Sequence, residues 1–312
     1  MKGIRVFSAA ALALVLVAVL ACPAVPAAAR AVADRPSLWE QFVQVVAHPD
    51  DDLLFMSPDL YGAVQQDRPT VTVYLTAGEG QAGWDDDRDP VAYAHDRAEG
   101  LRAAYAFLAG ARNVWRTRTI TAGGVPVRLE ELADRPAIRL AFAGLPDGGD
   151  PRADGGRDAL TRLWEGRSCV RRFGQAGVPG QRGAPAEGGV SGPERHCVAK
   201  GDVVAMLSAL YARFRPTVLR TLDPEPPRRR GLCDHPDHVA SARFALAAAR
   251  GLRLRVVSYR GYPMTGWAPN VVGALRELKR RVFGVYLGHD YRVGHTWRYR
   301  AWTERMYRVP GP

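Results

Sequence analysis

From Phe42 onward, short apolar runs typical of buried strands are followed by segments in which apolar residues recur with a helical period. Two continuous apolar runs rich in β-branched residues, Phe42–Ala47 and Val71–Ala77, predict strands covered on both faces. A helical period over Ala92–Leu108 is followed by Gly110, a residue that commonly ends helices. Further strands are predicted at Val114–Ile120, Ala137–Phe142, Thr217–Leu222 and Leu254–Tyr259, and further helices at Asp158–Trp164, Asp202–Phe214, His238–Ala249 and Val271–Phe283.

Strands that alternate with helices predict an α/β fold with a mostly parallel sheet covered on both faces. We expect one domain over residues 38–312, because no shift in composition divides the chain. The Gly/Pro-rich stretch 168–200 lacks apolar periodicity and predicts an insertion loop. Residues 261–312 predict a C-terminal extension that packs on the domain. We expect its aromatic residues to cap the sheet rather than line a sugar site.

The N-terminus has the layout of a secretory signal peptide. Two basic residues precede an apolar run over 6–21, and the small-residue stretch 27–31 follows. We therefore expect residues 1–31 to be a signal peptide and the protein to be secreted or extracytoplasmic. The residues before Cys22 also fit a lipoprotein box, which leaves a lipid anchor at Cys22 open. No other segment predicts a transmembrane span.

Export would permit a disulfide bond. Beyond the signal peptide the cysteines are Cys169, Cys197 and Cys233, which allow three single bridges. Between Cys169 and Cys197 lie 27 residues, ten of them Gly or Pro, and such a segment has no core of its own. We favour the bridge that closes this loop, with Cys233 outside it.

The charge balance is basic, with 43 Lys+Arg against 32 Asp+Glu and a formal net charge of +11. Residues 1–29 contain two basic residues, Lys2 and Arg5, and no acidic one, so their removal lowers the net charge to +9. The arginines are scattered, and 228–230 is the only tight run, whereas nucleic-acid surfaces are clustered. We therefore expect no nucleic-acid partner.

The first predicted strand runs directly into one imidazole and three carboxylates, His48-Pro49-Asp50-Asp51-Asp52. Ligands of open parallel sheets bind at the carboxyl ends of strands. If Pro49 begins a helical turn, His48 and Asp51 lie three residues apart on one face and can bind one metal ion. Asp50 would then be an unliganded carboxylate, available as a base.

A second cluster, Asp234–His238, repeats the His-Pro-Asp turn at the start of the Ala-rich helix. His238 can complete a set of two imidazoles and one carboxylate with His48 and Asp51, which is how catalytic zinc is commonly held. Each turn alone is commonly a helix N-cap, but two such turns at strand-to-helix junctions favour a metal site. A His-x-Asp…His iron site is a rival, although such sites usually lie in a double-stranded β-helix fold, which does not match the strand and helix pattern here.

Four segments, taken in order, resemble the PIG-L/LmbE-like family of zinc-dependent de-N-acetylases. They are Ala47–Asp51, Leu75–Glu79, Leu145–Gly148 and His235–His238, within a resemblance that covers roughly Val43 to Arg250. The resemblance implies a Rossmann-like three-layer α/β sandwich. It further implies that His48, Asp51 and His238 bind zinc, that Asp50 is the general base, that His235 stabilises the oxyanion, and that Arg97 and Asp147 contact the sugar.

The implied reaction removes the N-acetyl group from an N-acetylated amino sugar of GlcNAc type by metal-activated water. The expected cofactor is one Zn²⁺ ion, with Fe²⁺ as the alternative, and the expected partner is a small-molecule or glycoconjugate amino sugar. Two other functions stay open: an amidase of the same fold acting on another N-acyl compound, and a non-catalytic carbohydrate-binding protein. The complete His and Asp set opposes the second.

Overall fold

A computed structural model describes residues 39–149, 158–167, 169–173, 197–227, 233–294 and 296–310. The strands of this part are β1 (Phe42–Val46), β2 (Thr70–Thr76), β3 (Trp115–Ala122), β4 (Val125–Leu132), β5 (Ile138–Leu145), β6 (Val218–Leu222) and β7 (Arg255–Tyr259). The α-helices are α1 (Asp51–Phe55), α2 (Asp59–Gln65), α3 (Pro90–Ala109), α4 (Ala159–Trp164), α5 (Lys200–Phe214), α6 (Pro236–Ala248), α7 (Gly273–Leu287) and α8 (Trp297–Trp302), with a short 3-10 helix at Tyr262–Gly266. The predicted signal peptide and most of the predicted insertion lie outside the described residues.

The strands form one sheet in the order β3-β4-β5-β2-β1-β6-β7. Adjacent strands in the run β5-β2-β1-β6-β7 are parallel, and the β3–β4 and β4–β5 pairs are antiparallel. Every residue of β1, β2 and β6 is buried, as the continuous apolar runs predict. The expected α/β fold with a mostly parallel sheet is confirmed.

Two hydrophobic cores cover the two faces of the sheet. One lies under α1, α2, α3 and α7 and includes Val46 of β1. The other lies under α4, α5 and α6 and includes Val43 and Val45. This alternation along β1 follows the two-residue period of a strand and gives the three-layer sandwich. Among the described residues, no helix is long and apolar enough to cross a membrane.

Strand β4 is absent from the sequence-based prediction, which placed only one strand in this region. Its hairpin with β3 turns at Gly123 and Gly124, whose φ angles are 53° and 84°. Two positive φ angles define the tight turn that suits a twisted hairpin, and a Gly-Gly pair is a signal for it. A Cβ atom on Gly123 would lie 2.4 Å from the backbone carbon of Ala205, so α5 also requires glycine here.

The C-terminal extension is fastened to α1 by a buried lysine. Lys279 of α7 donates hydrogen bonds from Nζ to the carbonyls of Leu54 and Arg305, both at 2.6 Å. Burial holds the pKa of Lys279 well below its ordinary value. Helix α7 also packs along α3, where Tyr286 lies against Gly100. Residues 286–307, which have no clean sequence period, include α8.

The favoured disulfide bond, Cys169–Cys197, is confirmed. Its Cα atoms are 5.4 Å apart. The adjoining residues Val170 and Val198 exchange two backbone hydrogen bonds of 2.9 and 2.7 Å. Cys233 is exposed and lies outside this bridge.

Removal of this bridge by the double substitution Cys169→Ala/Cys197→Ala is expected to lower the free energy of unfolding by about 3–4 kcal/mol, because it releases a long loop in the unfolded chain. Urea unfolding followed by circular dichroism measures the change. Cys233→Ala is the control and should leave the midpoint unchanged. A double variant as stable as the wild type would contradict the prediction.

Candidate metal centre

The two His-Pro-Asp segments meet because β1 pairs directly with β6. The two strands are parallel, with Val45 opposite Thr221, so both segments leave the sheet at its carboxyl edge. The ring centroids of His48 and His235 are 4.7 Å apart, and those of His48 and His238 are 5.3 Å apart. The fold therefore joins two segments that are distant in sequence.

Asp51 lies between the two imidazoles of the predicted ligand set. Its Oδ2 accepts hydrogen bonds from the backbone N–H groups of Ala47 and His48, at 3.1 and 2.7 Å, and lies 3.5 Å from His48 Nδ1. Its Oδ1 lies 3.0 Å from Nε2 of the fully buried His238. The expectation of a helical turn beginning at Pro49 is wrong, because α1 begins at Asp51. The Asp51 carboxylate reaches back to the strand end instead.

This arrangement fits a divalent metal ion. One ligand atom from each of His48, Asp51 and His238 lies within 4.8 Å of the others, and all three residues are buried. His238 Nε2 makes no hydrogen bond despite its burial, which is the state expected of an atom that serves as a metal ligand. Two imidazole nitrogens and one carboxylate oxygen are a common donor set for such ions.

Asp234 orients His238 and was not predicted as a site residue. Its Oδ1 lies 2.8 Å from His238 Nδ1 and also accepts hydrogen bonds from the N–H groups of His235 and Tyr262, at 2.9 and 3.1 Å. Burial alone would lower the pKa of His238, but Asp51 and Asp234 outweigh it and raise that pKa to about 9. A carboxylate on the far nitrogen of a liganding histidine fixes the direction of the ring.

A second group of possible ligands shares His48. It consists of His48, His235 and Asp237, with Asp237 Oδ2 3.4 Å from His48 Nε2. Asp237 Oδ2 also accepts the N–H of Gly148, and His235 Nδ1 accepts the N–H of Asp237. Asp237 therefore connects the two His-Pro-Asp turns to the 145–148 turn. The His-Pro-Asp repeat itself was the sequence signal that could have singled it out.

The three aspartates of the first motif have different partners. Asp50 Oδ2 lies 3.1 Å from Arg97 Nη2, outside both ligand groups. Burial raises the pKa of Asp50 to about 8, although Arg97 opposes the change. Asp52 accepts hydrogen bonds from the hydroxyls of Tyr105 and Tyr74, at 2.5 and 3.1 Å, and so fastens α1 to its neighbours. Only Asp50 combines a place in the cavity with a pKa suited to proton transfer near neutral pH.

Arg97 supports the loop that carries Asp50. Its guanidinium donates hydrogen bonds to the carbonyls of Pro49 and Gly78 and to the hydroxyl of Tyr286, at 2.6, 2.7 and 2.8 Å. Its Nε also lies 3.0 Å from Asp290 Oδ2. Arg97 lines the cavity, but these protein groups already engage its guanidinium. Its contact with a sugar therefore stays a prediction.

Asp147 also lines the cavity, in the 145–148 turn. Its N–H donates to Glu79 Oε1 at 2.8 Å, which joins the two weaker sequence motifs to each other. Its Oδ1 accepts the N–H of Gly149, and its Oδ2 lies 3.7 Å from His48 Nε2. The side chain is thus beside the ligand set, and its contact with a sugar stays a prediction.

The cavity above these residues has a volume of about 480 Å³. Its far wall comes from the C-terminal extension, through Tyr262, Tyr299 and Trp302. The Tyr262 and Trp302 rings stack, with centroids 4.7 Å apart. The expectation that the aromatic residues of the extension would cap the sheet rather than line the site is therefore wrong for these three. Tyr262 and Trp302 also pack on Phe55 of α1.

The fold and the site together define a class of α/β protein. In this class a buried cluster of His and Asp residues lies at the carboxyl edge of a sheet with helices on both faces. The sequence model described as GlcNAc-PI de-N-acetylase, PIG-L, matches residues 43–249. The chain belongs to this family, and it is a de-N-acetylase hydrolase. The resemblance noted in the sequence is confirmed.

Solved structures that the chain is similar to are distant in sequence. The zinc-inhibited form of teicoplanin deacetylase is 16% identical, with a TM-score of 0.44 over 79% of this chain and 83% of that chain. A 4-carboxy-2-hydroxymuconate hydratase from Pseudomonas putida is 13% identical, with a TM-score of 0.44 over 84% and 82%. The protein TT1542 from Thermus thermophilus is 17% identical, with a TM-score of 0.43 over 84% and 84%. No curated protein matches the chain.

Arg97→Met is expected to lower the free energy of unfolding by about 3–5 kcal/mol, because it leaves the buried carboxylates Asp50 and Asp290 without their cation. Urea unfolding of the purified variant measures the loss. Arg112→Met removes an exposed arginine that pairs with Asp134 and should leave stability close to that of the wild type. Equal stability of the two variants would show that Arg97 does not stabilise the loop that carries Asp50.

Proposed function

We propose that the protein is a zinc-dependent hydrolase that removes the acetyl group from an N-acetylated amino sugar of a GlcNAc-type glycoconjugate. The observation that carries this proposal is the convergence of His48, Asp51 and His238 beside the unliganded carboxylate of Asp50. The family supports the reaction class. Substrate and metal are our inference from the site.

Zinc suits the donor set better than harder cations, because two of the three ligands are imidazoles. Bound by His48, Asp51 and His238, it would supply Lewis acidity toward an amide carbonyl and lower the pKa of a water molecule. Fe²⁺ accepts similar ligands and is the alternative.

Asp50 is the base in this proposal. Its carboxylate accepts a proton from the water that attacks the acetamide carbon, and it later donates that proton to the departing amine nitrogen. Arg97 and the backbone of the loop fix the direction of this carboxylate. Burial raises the pKa of Asp50 to about 8, which allows it both to take up and to release a proton near neutral pH.

His235 acts as a hydrogen-bond donor to the carbonyl oxygen. Its Nδ1 accepts the N–H of Asp237, so the neutral ring carries its proton on Nε2. Burial, together with the charge of His48, lowers the pKa of His235 and favours this neutral form. A fixed Nε2–H group in the cavity can stabilise the negative charge that develops on the oxygen.

The walls of the cavity support an amino sugar as the substrate. Tyr262, Tyr299 and Trp302 offer flat apolar rings, while Asp147 offers a carboxylate oxygen. A sugar ring combines apolar C–H faces with hydroxyl donors, and this pairing of walls matches both. Arg97 also lines the cavity and is, with Asp147, a sugar contact in this proposal.

We also propose export through the N-terminal signal, with cleavage near Ala29 or Ala31. The Cys169–Cys197 bridge supports an oxidising compartment. N-terminal sequencing of the exported protein would locate the cleavage site. A mature chain that begins at a lipid-modified Cys22 would show instead that the exported protein is anchored to a membrane.

The substrate proposal is tested on residues 31–312 by metal analysis and by a screen of N-acetylated sugars for released primary amine and acetate. We expect one zinc ion per chain and equal amounts of both products. His238→Ala should lose the metal and the activity together, because it removes one of three ligands. A protein without stoichiometric metal would refute the metal-enzyme proposal, and a zinc protein inactive on every sugar would favour the amidase of another N-acyl compound.

Asp50→Asn is expected to lower kcat by about 100-fold or more while the zinc content stays at one per chain, because the amide cannot accept a proton. Steady-state kinetics and metal analysis are measured on the same preparation. The control, Asp134→Asn, changes an exposed carboxylate and should keep full activity. Near-full activity of Asp50→Asn with zinc bound would remove Asp50 from the role of base.

A further inference from the structure

A second cavity of about 240 Å³ lies between α3 and the ends of β2 and β5. Pro49, in the loop that carries Asp50, lines this second cavity. The second cavity shares no lining residue with the cavity above the proposed metal ligands. Most of its wall is apolar, formed by Ala77, Ala94, Ala98, Phe142 and Phe173. The deacetylase reaction proposed above makes no use of it.

Two arginines interrupt this apolar wall. Arg172 donates from Nε to the carbonyl of Ala143 at 2.9 Å, and none of the described carboxylates contacts its guanidinium. The Arg128 guanidinium lies over the Phe142 ring, 4.4 Å from its centroid, and its Nε pairs with Glu130. Both side chains line the cavity, and no described protein group accepts a hydrogen bond from the Nη atoms of either one.

The acidic group nearest to Arg128 does not neutralise the charges of Arg128 and Arg172. Glu130 lies 3.2 Å from Arg128 Nε, but its two oxygens already accept hydrogen bonds from Arg102 Nη1 at 3.0 and 3.1 Å. One carboxylate thus serves two guanidiniums, and Arg172 adds a third positive charge nearby. Burial, and then the charge of Arg128, lower the pKa of Arg172, as expected where like charges share a cavity. The remaining ionisable group of the lining is the exposed imidazole of His95.

We propose that this cavity binds a small organic carboxylate, whose charge is held by Arg172 with Arg128 and whose apolar body contacts the Phe142 and alanine walls. An anion supplies the acceptors that two half-buried guanidiniums lack, and arginine matches a carboxylate with two parallel hydrogen bonds. An apolar cavity of about 150 Å³ accommodates benzene, so the larger volume here has room for a ring bearing a carboxylate. Inorganic phosphate would leave the apolar wall uncovered.

Benzoate is the probe, titrated calorimetrically into the full folded chain. We expect saturable binding to the wild type, weakened about tenfold or more in Arg172→Gln because a charge-assisted contact is lost. Arg172→Lys keeps the charge without the planar fork and should bind with intermediate affinity. Arg116→Gln removes an exposed arginine on β3 and is the charge-matched control, with unchanged affinity expected. Benzyl alcohol, which has the ring without the charge, should bind at least tenfold more weakly.

A steric variant tests the cavity without altering its charges. Ala94→Leu on α3 adds volume inside it and should weaken benzoate binding as much as Arg172→Gln does, with circular dichroism and the melting temperature reporting that both variants are folded. Absence of benzoate binding, or binding that Arg172→Gln and Ala94→Leu both leave unchanged, would overturn the proposal. Binding abolished by His48→Ala but kept by these two variants would assign benzoate to the metal centre and overturn it as well. Arg172-dependent binding of inorganic phosphate as tight as that of benzoate would overturn the carboxylate class.

Discussion

Strand β1 lies parallel to β6 in the middle of the sheet, and the positions of the two His-Pro-Asp turns depend on this pairing. The contact is continuous, and Thr221 Oγ1 donates to the carbonyl of Val45 at 3.2 Å across a separation of 176 residues. Because parallel strands end at the same edge, each delivers a His-Pro-Asp turn to one place. The sheet order also changes direction at β1, since β2 lies on one side and β6 on the other, which opens the crevice in which the cluster lies.

The loop after β1 needs support from the rest of the chain, because its backbone is strained. Asp50 has a φ angle of 133°, a conformation that costs a residue with a side chain about 1–3 kcal/mol. Arg97 and Tyr286 both donate hydrogen bonds to the carbonyl of Pro49, and Gly78 allows close approach, since a Cβ atom there would lie 2.4 Å from Pro49 Cδ. The C-terminal extension thus supports the loop and forms part of the cavity wall. It lies beyond the region that the family model matches.

Local patterns predicted most of the regular structure. Continuous apolar runs located β1 and β2 to within one residue, and the Gly/Pro-rich composition between Cys169 and Cys197 identified the bridged loop. The prediction failed where tertiary contacts outweigh local preference. β4 was missed although its Gly-Gly turn was visible, and α1 begins two residues later than the proline indicated, because Asp50 has a non-helical φ angle of 133°.

The sequence by itself determined which donor atoms the site offers, because the two His-Pro-Asp turns contain imidazoles and carboxylates. It also determined that β1 and β2 are strands, because burial on two faces favours a largely apolar run. Only the tertiary structure decided that Arg97 is held by Tyr286 and Asp290, and that C-terminal rings face the cavity. These contacts join residues far apart in sequence, and no local period records them, since they arise when helices of both layers pack on one sheet.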